Sequence, residues 1–123
     1  SLDCLNFPTK IFFVEPNLLF ISDSGNNRIL CVNTDNNELI YTIGTGQQGY
    51  ENGFFKDAKF DWPQGLTFDQ DDNKLYICDT FNNLIRVADL NQSKVETLCG
   101  NKLNTIIGDY DYKGGKKGIE QTI

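Results

Sequence analysis

The sequence predicts an all-β chain built from two copies of a four-stranded antiparallel unit, and three observations lead there. First, the run Leu19 to Ile29 returns as Leu75 to Ile85, so that Asp23, Asn26, Asn27 and Ile29 recur as Asp79, Asn82, Asn83 and Ile85 at a shift of 56 residues. The same shift carries Gly44 onto Gly100. Upstream, Phe7-Pro8 is echoed by Trp62-Pro63 at a shift of 55. Second, short apolar runs are separated by clusters of Asp, Asn, Gly and Ser, residues that turn the chain by accepting local hydrogen bonds or tolerating positive φ. Third, no stretch sustains a helical period.

In the first copy the strands read Ile11 to Val14, Leu18 to Asp23, Arg28 to Val32 and Leu39 to Ile43. In the second they read Gly65 to Phe68, Lys74 to Cys78, Leu84 to Leu90 and Lys94 to Cys99. The second strand of each unit is mostly apolar, which implies burial on both faces. The third strand of the second unit alternates, with Ile85, Val87 and Asp89 on one side and Leu84, Arg86 and Ala88 on the other. Turns are expected at Asp69-Gln70-Asp71-Asp72-Asn73, Thr80-Phe81-Asn82-Asn83 and Asn91-Gln92-Ser93. The long connection from Gly44 to Trp62 carries Phe54, Phe55, Ala58 and Phe60, and is expected to pack against the units it joins.

Four antiparallel strands at this period are the pattern of a β-propeller blade. The fold class expected is therefore a β-propeller segment: residues 1–60 form one blade with its connection, and residues 61–123 form a second with a loop leading onward. A ring needs about four to eight blades, so the remaining blades are an expected partner and the chain reads as part of a longer protein.

Composition narrows the function. The 123 residues are 39% apolar and 12% aromatic, too rich for a disordered tail. The net charge of −6 argues against nucleic acid, whose affinity is carried by clustered Lys and Arg. No apolar run approaches the ~18 residues of a membrane span. There is no histidine, the commonest metal ligand and general base.

Cys4, Cys31, Cys78 and Cys99 show neither paired zinc-type spacing nor Cys-x-x-Cys. Cys31 aligns with Val87, Cys78 with Ser22 and Cys99 with Ile43, so the cysteines are expected to be buried reduced thiols, which favours the cytoplasm.

The pattern Pro-x-Gly-apolar at Pro63 to Leu66, followed by apolar-aromatic-Ile-small-Asp-Thr-x-Asn-Asn-x-Ile at Leu75 to Ile85, resembles the NHL-repeat family of propellers. The resemblance covers nearly all the chain. It implies a propeller that serves as an interaction platform for protein partners, without an assigned reaction or cofactor. Some related propellers are lyases or lactonases that hold zinc or calcium in the central channel, and others bind RNA on a basic face. The first alternative would need ligands from other blades, and the second conflicts with the acidic charge.

The residues expected to carry the repeat are Pro8, Asp23, Asn26, Asn27, Ile29 and Gly44 in the first copy. In the second they are Trp62, Pro63, Gly65, Asp79, Asn82, Asn83, Ile85 and Gly100. Asp23 and Asp79 are expected to build tight turns by accepting backbone N–H bonds within them. Trp62 is expected to anchor neighbouring blades, held extended by the following proline. Arg28 and Arg86 are expected on third strands, paired with carboxylates or facing a partner. Asp69 to Asn73 begins like a calcium loop, but Lys74 stands where glycine is needed and Thr80 where a bidentate Glu belongs, so it reads as a hairpin turn. Lys113-Gly114-Gly115-Lys116-Lys117-Gly118 lacks phosphate-loop spacing and reads as an inter-blade loop. No catalytic, metal-binding or cofactor-binding residue is expected.

Overall fold

A computed structural model describes residues 4–100. The Lys113–Gly118 segment lies outside them. The first unit forms a four-stranded sheet in the order β1-β2-β3-β4: β1 Pro8–Val14, β2 Leu18–Asp23, β3 Arg28–Asn33 and β4 Glu38–Ile43. The second gives β6 Pro63–Asp69, β7 Lys74–Asp79, β8 Leu84–Asp89 and β9 Lys94–Gly100, paired in sequence. Every pairing is antiparallel. A short strand β5, Gly53–Phe54, adds to the outer edge of the second sheet against β9, an addition the sequence did not signal.

The turns form as their chemistry dictates. Asn33 Oδ1 accepts the Asp35 N–H, Asp69 Oδ1 that of Asp71 and Asp89 Oδ1 that of Asn91, at 2.8–3.0 Å. Each of these hairpins then closes on a residue in the left-handed region: Asn37, Asn73 and Ser93, with φ between 57° and 63°. Asp69 thus uses its carboxylate on its own turn. Register shifts interrupt β3/β4 and β8/β9, skipping Ile40 and Leu98. Both skipped side chains are exposed, as a bulge that re-aims one residue predicts.

The two sheets share one core. Val14, Phe20, Ile29, Cys31 and Ile43 of the first unit meet Leu66, Leu75, Ile77, Ala88, Leu90 and Val95 of the second. Phe55, Ala58 and Phe60 from the connection fill the same core, as expected of that segment, while Phe54 stays 48% exposed in β5. The connection is tied down by its backbone: Gly44 N–H donates to Phe55 O, Thr45 N–H to Ala58 O and Gly49 N–H to Phe60 O, at 2.8–3.0 Å. Ile21, Leu30 and Val32 form a separate cluster on the opposite face of the first unit, so β2 is buried on both sides. In β8 the buried set is Leu84, Arg86 and Ala88, one of the two faces read from the sequence.

The cysteines need correction. All four are free, but Cys31 alone is buried; Cys4 and Cys78 are exposed and Cys99 is intermediate. The repeat places Cys78 and Cys31 on corresponding faces of their units, yet among the described residues only the first unit has that face covered, by the second.

Candidate functional site

The recurring Asp-x-x-Asn-Asn group sits where β2 and β7 end. A 3₁₀ turn follows each, Ser24–Asn26 and Thr80–Asn82, and closes on a left-handed asparagine: Asn27 at φ 53° and Asn83 at φ 60°. Asparagine suits that position because its short side chain tolerates the conformation.

Asp23 and Asp79 are fully buried, and they do not cap these turns. They reach across to the lead-in of their own first strand. Asp79 Oδ1 accepts the Asp61 N–H at 2.8 Å, and Asp23 Oδ1 accepts the Asn6 N–H at 2.7 Å. The other carboxylate oxygen accepts from the asparagine three residues on, Asn82 at 2.8 Å and Asn26 at 2.9 Å. Each of those amides also donates to a carbonyl of an incoming segment, Gly49 O from Asn82 and Cys4 O from Asn26. The structural role expected of the Asp–Asn group therefore works over a longer range than the turn itself.

An arginine completes both clusters from different strand positions. Arg28 Nε donates to Asp23 Oδ2 and Arg86 Nη1 to Asp79 Oδ2, each at 2.7 Å. By the repeat, Arg28 aligns with Leu84, and Arg86 with Leu30. The two positions differ by two residues, which keeps both on the same face of the strand. Arg28 keeps 15% exposure at the strand end. Arg86 is fully buried, and its guanidinium lies over the rings of Tyr50 and Phe60 at 5.1 and 4.9 Å. It also donates to Lys59 O, Glu51 O and Asn52 Oδ1 at 2.7–2.9 Å, pinning the connection to the second blade. Its Nε is the buried polar side-chain atom left without a partner among the described residues. Burial pushes the Asp79 carboxyl up, while Asn82, the Asp61 N–H and Arg86 pull it back. Of the two readings of the arginines, pairing with a carboxylate holds for both, and Arg86, fully buried, is an internal clamp and does not face a partner.

The joint between the units rests on three more side chains. Ser22 Oγ donates to Gln64 O at 2.6 Å, Ser24 Oγ donates to Pro63 O, and Asn27 Oδ1 accepts the Trp62 N–H at 2.9 Å. Trp62 is not extended. Its φ is 60°, matched by 53° at Phe7, the other residue before proline. The cross-unit bond to Asn27 and ring stacking hold it there. Trp62 stacks on Phe81 (5.7 Å, 13°) and meets Phe7 (5.7 Å, 47°). Phe7 and Phe81 are 67% and 61% exposed, so the three rings form an aromatic row on the rim carrying the 3₁₀ turns.

The remaining repeat residues are structural in placement. Gly44 and Gly100 have φ of 105° and 103°, and a Cβ at Gly100 would stand 2.5 Å from Asn83 O. At Gly65 a Cβ would meet Cys78 Sγ at 3.1 Å. Pro63 and Ile29 are fully buried, Ile85 is partly buried and Pro8 is exposed. Among the described residues no group of three or more His, Cys, Asp or Glu is placed to hold a metal. None of their helices is long and apolar enough to cross a membrane.

Two antiparallel sheets, one of four strands and one of four strands extended by β5, packed face to face with β1 and β6 adjoining, are consecutive blades of a β-propeller. No family model matches the sequence. Curated relatives do. The chain is 39% identical over 120 residues to NHL repeat-containing protein 2 of Gallus gallus and 38% identical to that of Homo sapiens, covering 97% of this chain and 16% of each relative. It is 38% identical to protein SUPPRESSOR OF QUENCHING 1, chloroplastic, of Arabidopsis thaliana, covering 97% of this chain and 11% of that one. Over nearly its whole length the chain is thus similar to NHL-repeat proteins. It spans only 11–16% of the length of these relatives.

Two solved structures from Bacteroides thetaiotaomicron share the fold. A structural genomics protein of unknown function superposes with a TM-score of 0.61 and 27% identity, over 68% of this chain and 21% of that one. An auxiliary nutrient binding protein gives 0.59 and 22%, over 73% and 25%.

Sequence reasoning missed the cross-unit roles of Ser22, Ser24 and Asn27. The signal was available: Ser24 recurs as Thr80, keeping a hydroxyl, and Asn27 recurs as Asn83.

Proposed function

We propose that this chain is a non-enzymatic part of an NHL-type propeller that serves as a protein–protein interaction scaffold in the cytoplasm. The observation that carries the reading is the aromatic row Phe7–Trp62–Phe81 on one rim, in which Phe7 and Phe81 are exposed and flank a half-buried Trp62. Aromatic rings on a rigid sheet rim offer a partner large contact area at small entropic cost, and such residues dominate interface energetics. The buried charges point the same way. Asp23, Asp79 and Arg86 are committed to tying backbone segments together, which builds a rigid platform. Four free thiols suit a reducing compartment.

The test is affinity capture with the full natural chain, comparing wild type with Phe81→Ser, a change at an exposed ring that leaves the core untouched. A set of proteins captured by wild type and lost with the variant supports the reading. An identical set from both removes the rim from the interface. A turnover-competent activity in the purified full chain would overturn the non-enzymatic assignment.

A further inference from the structure

The connection between the blades carries Asn52-Gly53, the only Asn-Gly step in the 123 residues. Such a step is chemically labile, because glycine has no side chain to shield its nitrogen from the preceding amide. Its surroundings give no shelter either: a Cβ built on Gly53 would meet nothing nearer than Asp57 Cβ at 3.8 Å. Asn52 is exposed, so water reaches it.

Both reacting groups are nevertheless held. Asn52 Oδ1 accepts from Arg86 Nη2 at 2.9 Å and from Thr97 Oγ1 at 3.2 Å. Gly53 pairs with Val95 in the β5/β9 ladder, and the Phe55 N–H, two residues on, donates to Ser93 O at 2.9 Å. Antiparallel alternation makes Gly53 and Val95 a hydrogen-bonded pair, which engages the Gly53 N–H with β9.

We propose that Asn52-Gly53 is a deamidation site held closed by the Arg86 clamp, modified only when the connection lifts off the second blade. The Gly53 nitrogen attacks Asn52 Cγ, and the new C–N bond forms as the Cγ–Nδ2 bond breaks. Ammonia leaves with the proton from the Gly53 nitrogen, and a cyclic succinimide remains. Water then opens the ring at either carbonyl. Cleavage at the side-chain carbonyl gives aspartate in a normal backbone. Cleavage at the main-chain carbonyl gives isoaspartate, with the chain running through the side chain. Water is the only co-reactant, and nothing is oxidised or reduced.

The attack needs the nitrogen within about 3–3.5 Å of Cγ and facing it. Two donors fix the side chain and the ladder fixes the nitrogen, so the closed state opposes that approach. The two products act differently on the clamp. Aspartate at position 52 sets a second carboxylate on the guanidinium that already serves Asp79. Isoaspartate adds a backbone carbon immediately before β5, which disturbs its register against β9. The step is one-way, so each opening of the connection leaves a permanent mark. This inference rests on the clamp and not on the scaffold role.

The experiment ages the full natural chain at mildly alkaline pH, both native and unfolded in guanidinium chloride. Peptide mapping that separates aspartyl from isoaspartyl forms then follows residues 52 and 53. Native Asn52 is expected to react at least roughly tenfold more slowly than in the unfolded chain. Arg86→Leu is expected to raise the native rate roughly tenfold. Thr97→Val removes one donor to Asn52 and leaves the partners of Arg86 in place, so it keeps the test decisive if Arg86→Leu does not fold. It is expected to raise the native rate roughly threefold, as loss of one hydrogen bond predicts. Asn82, buried in the second blade, is expected to keep its native rate in Thr97→Val, which separates local lifting from global unfolding. Equal rates in the native and unfolded chain, or no reaction in the unfolded chain, would overturn the proposal. So would an unchanged or lower rate in Thr97→Val, because the donors to Oδ1 would then be idle or would stabilise the oxyanion of attack.

Discussion

Replacing Arg86 with leucine, the residue at the equivalent place in the first blade, tests the internal clamp. The substitution keeps an apolar stem in the strand but removes donors to Asp79 Oδ2, Lys59 O, Glu51 O and Asn52 Oδ1. Lys59 O and Glu51 O keep partners in each other's N–H groups, at 3.4 and 3.0 Å, so their loss is partial. Asp79 is affected most, because it is fully buried and loses its cation. Removing one partner of a buried ion pair costs about 3–5 kcal/mol. Arg28→Leu is the control: Arg28 is 15% exposed, water can reach the vacated site, and a charged hydrogen bond there is worth about 1.5–3 kcal/mol. The assay is urea unfolding followed through the fluorescence of Trp62, the single tryptophan of the chain. Adding Asp79→Asn to Arg86→Leu is expected to recover part of the loss, with a coupling of roughly 1–3 kcal/mol in the double-mutant cycle. A loss below about 1 kcal/mol for Arg86→Leu, or the absence of coupling to Asp79, would refute the clamp.

Gly100→Ala is expected to destabilise by at least about 2 kcal/mol, because its positive φ of 103° is compounded by a Cβ 2.5 Å from Asn83 O. Gly46→Ala, at φ 95° with its nearest contact at 3.6 Å, should cost less, and paired thermal melts compare the two directly. Asn27→Ala removes the acceptor of the Trp62 N–H and is expected to accelerate exchange of that amide with solvent deuterium, at a cost of about 1 kcal/mol. Burial pushes the Cys31 thiol up to about 12 from an ordinary value of 9.0, so between those values the folded state holds the proton that the unfolded state has lost. Stability therefore falls as pH rises through that window, at up to about 1.4 kcal/mol per pH unit. Cys31→Val, the residue found at the equivalent Val87, is expected to remove that part of the slope in melts taken between pH 8.5 and 11, a range spanning most of the ~9–12 window.

The strands were legible because each unit is punctuated by residues whose local chemistry leaves little choice. Asp69, Asp89 and the left-handed Asn37 and Asn73 force hairpins wherever the apolar alternation pauses. The repeat then doubled the information, since Asp23 and Asp79 had to do the same work twice. What escaped was everything decided between distant segments. Asp23 and Asp79 bind amides 17 and 18 residues upstream, not their own turns, a choice set by how the first strand enters. Propensity places Trp62 in extended backbone before proline, but a bond to Asn27, 35 residues away, overrides it. Arg86 has the composition of a surface residue, yet carbonyls from the connection and two aromatic rings close over it. Cys31 and Cys78 stand at different positions on corresponding faces of their blades, and among the described residues only the face that carries Cys31 is covered.

The most direct test is an experimental structure of the full natural chain, by crystallography or cryo-electron microscopy. The prediction is that residues 4–100 form two adjacent four-stranded blades of a closed ring, with Trp62 bound to Asn27 across their joint. Strands paired in another order, or two sheets that do not share the core around Phe20, Phe60 and Leu75, would contradict it.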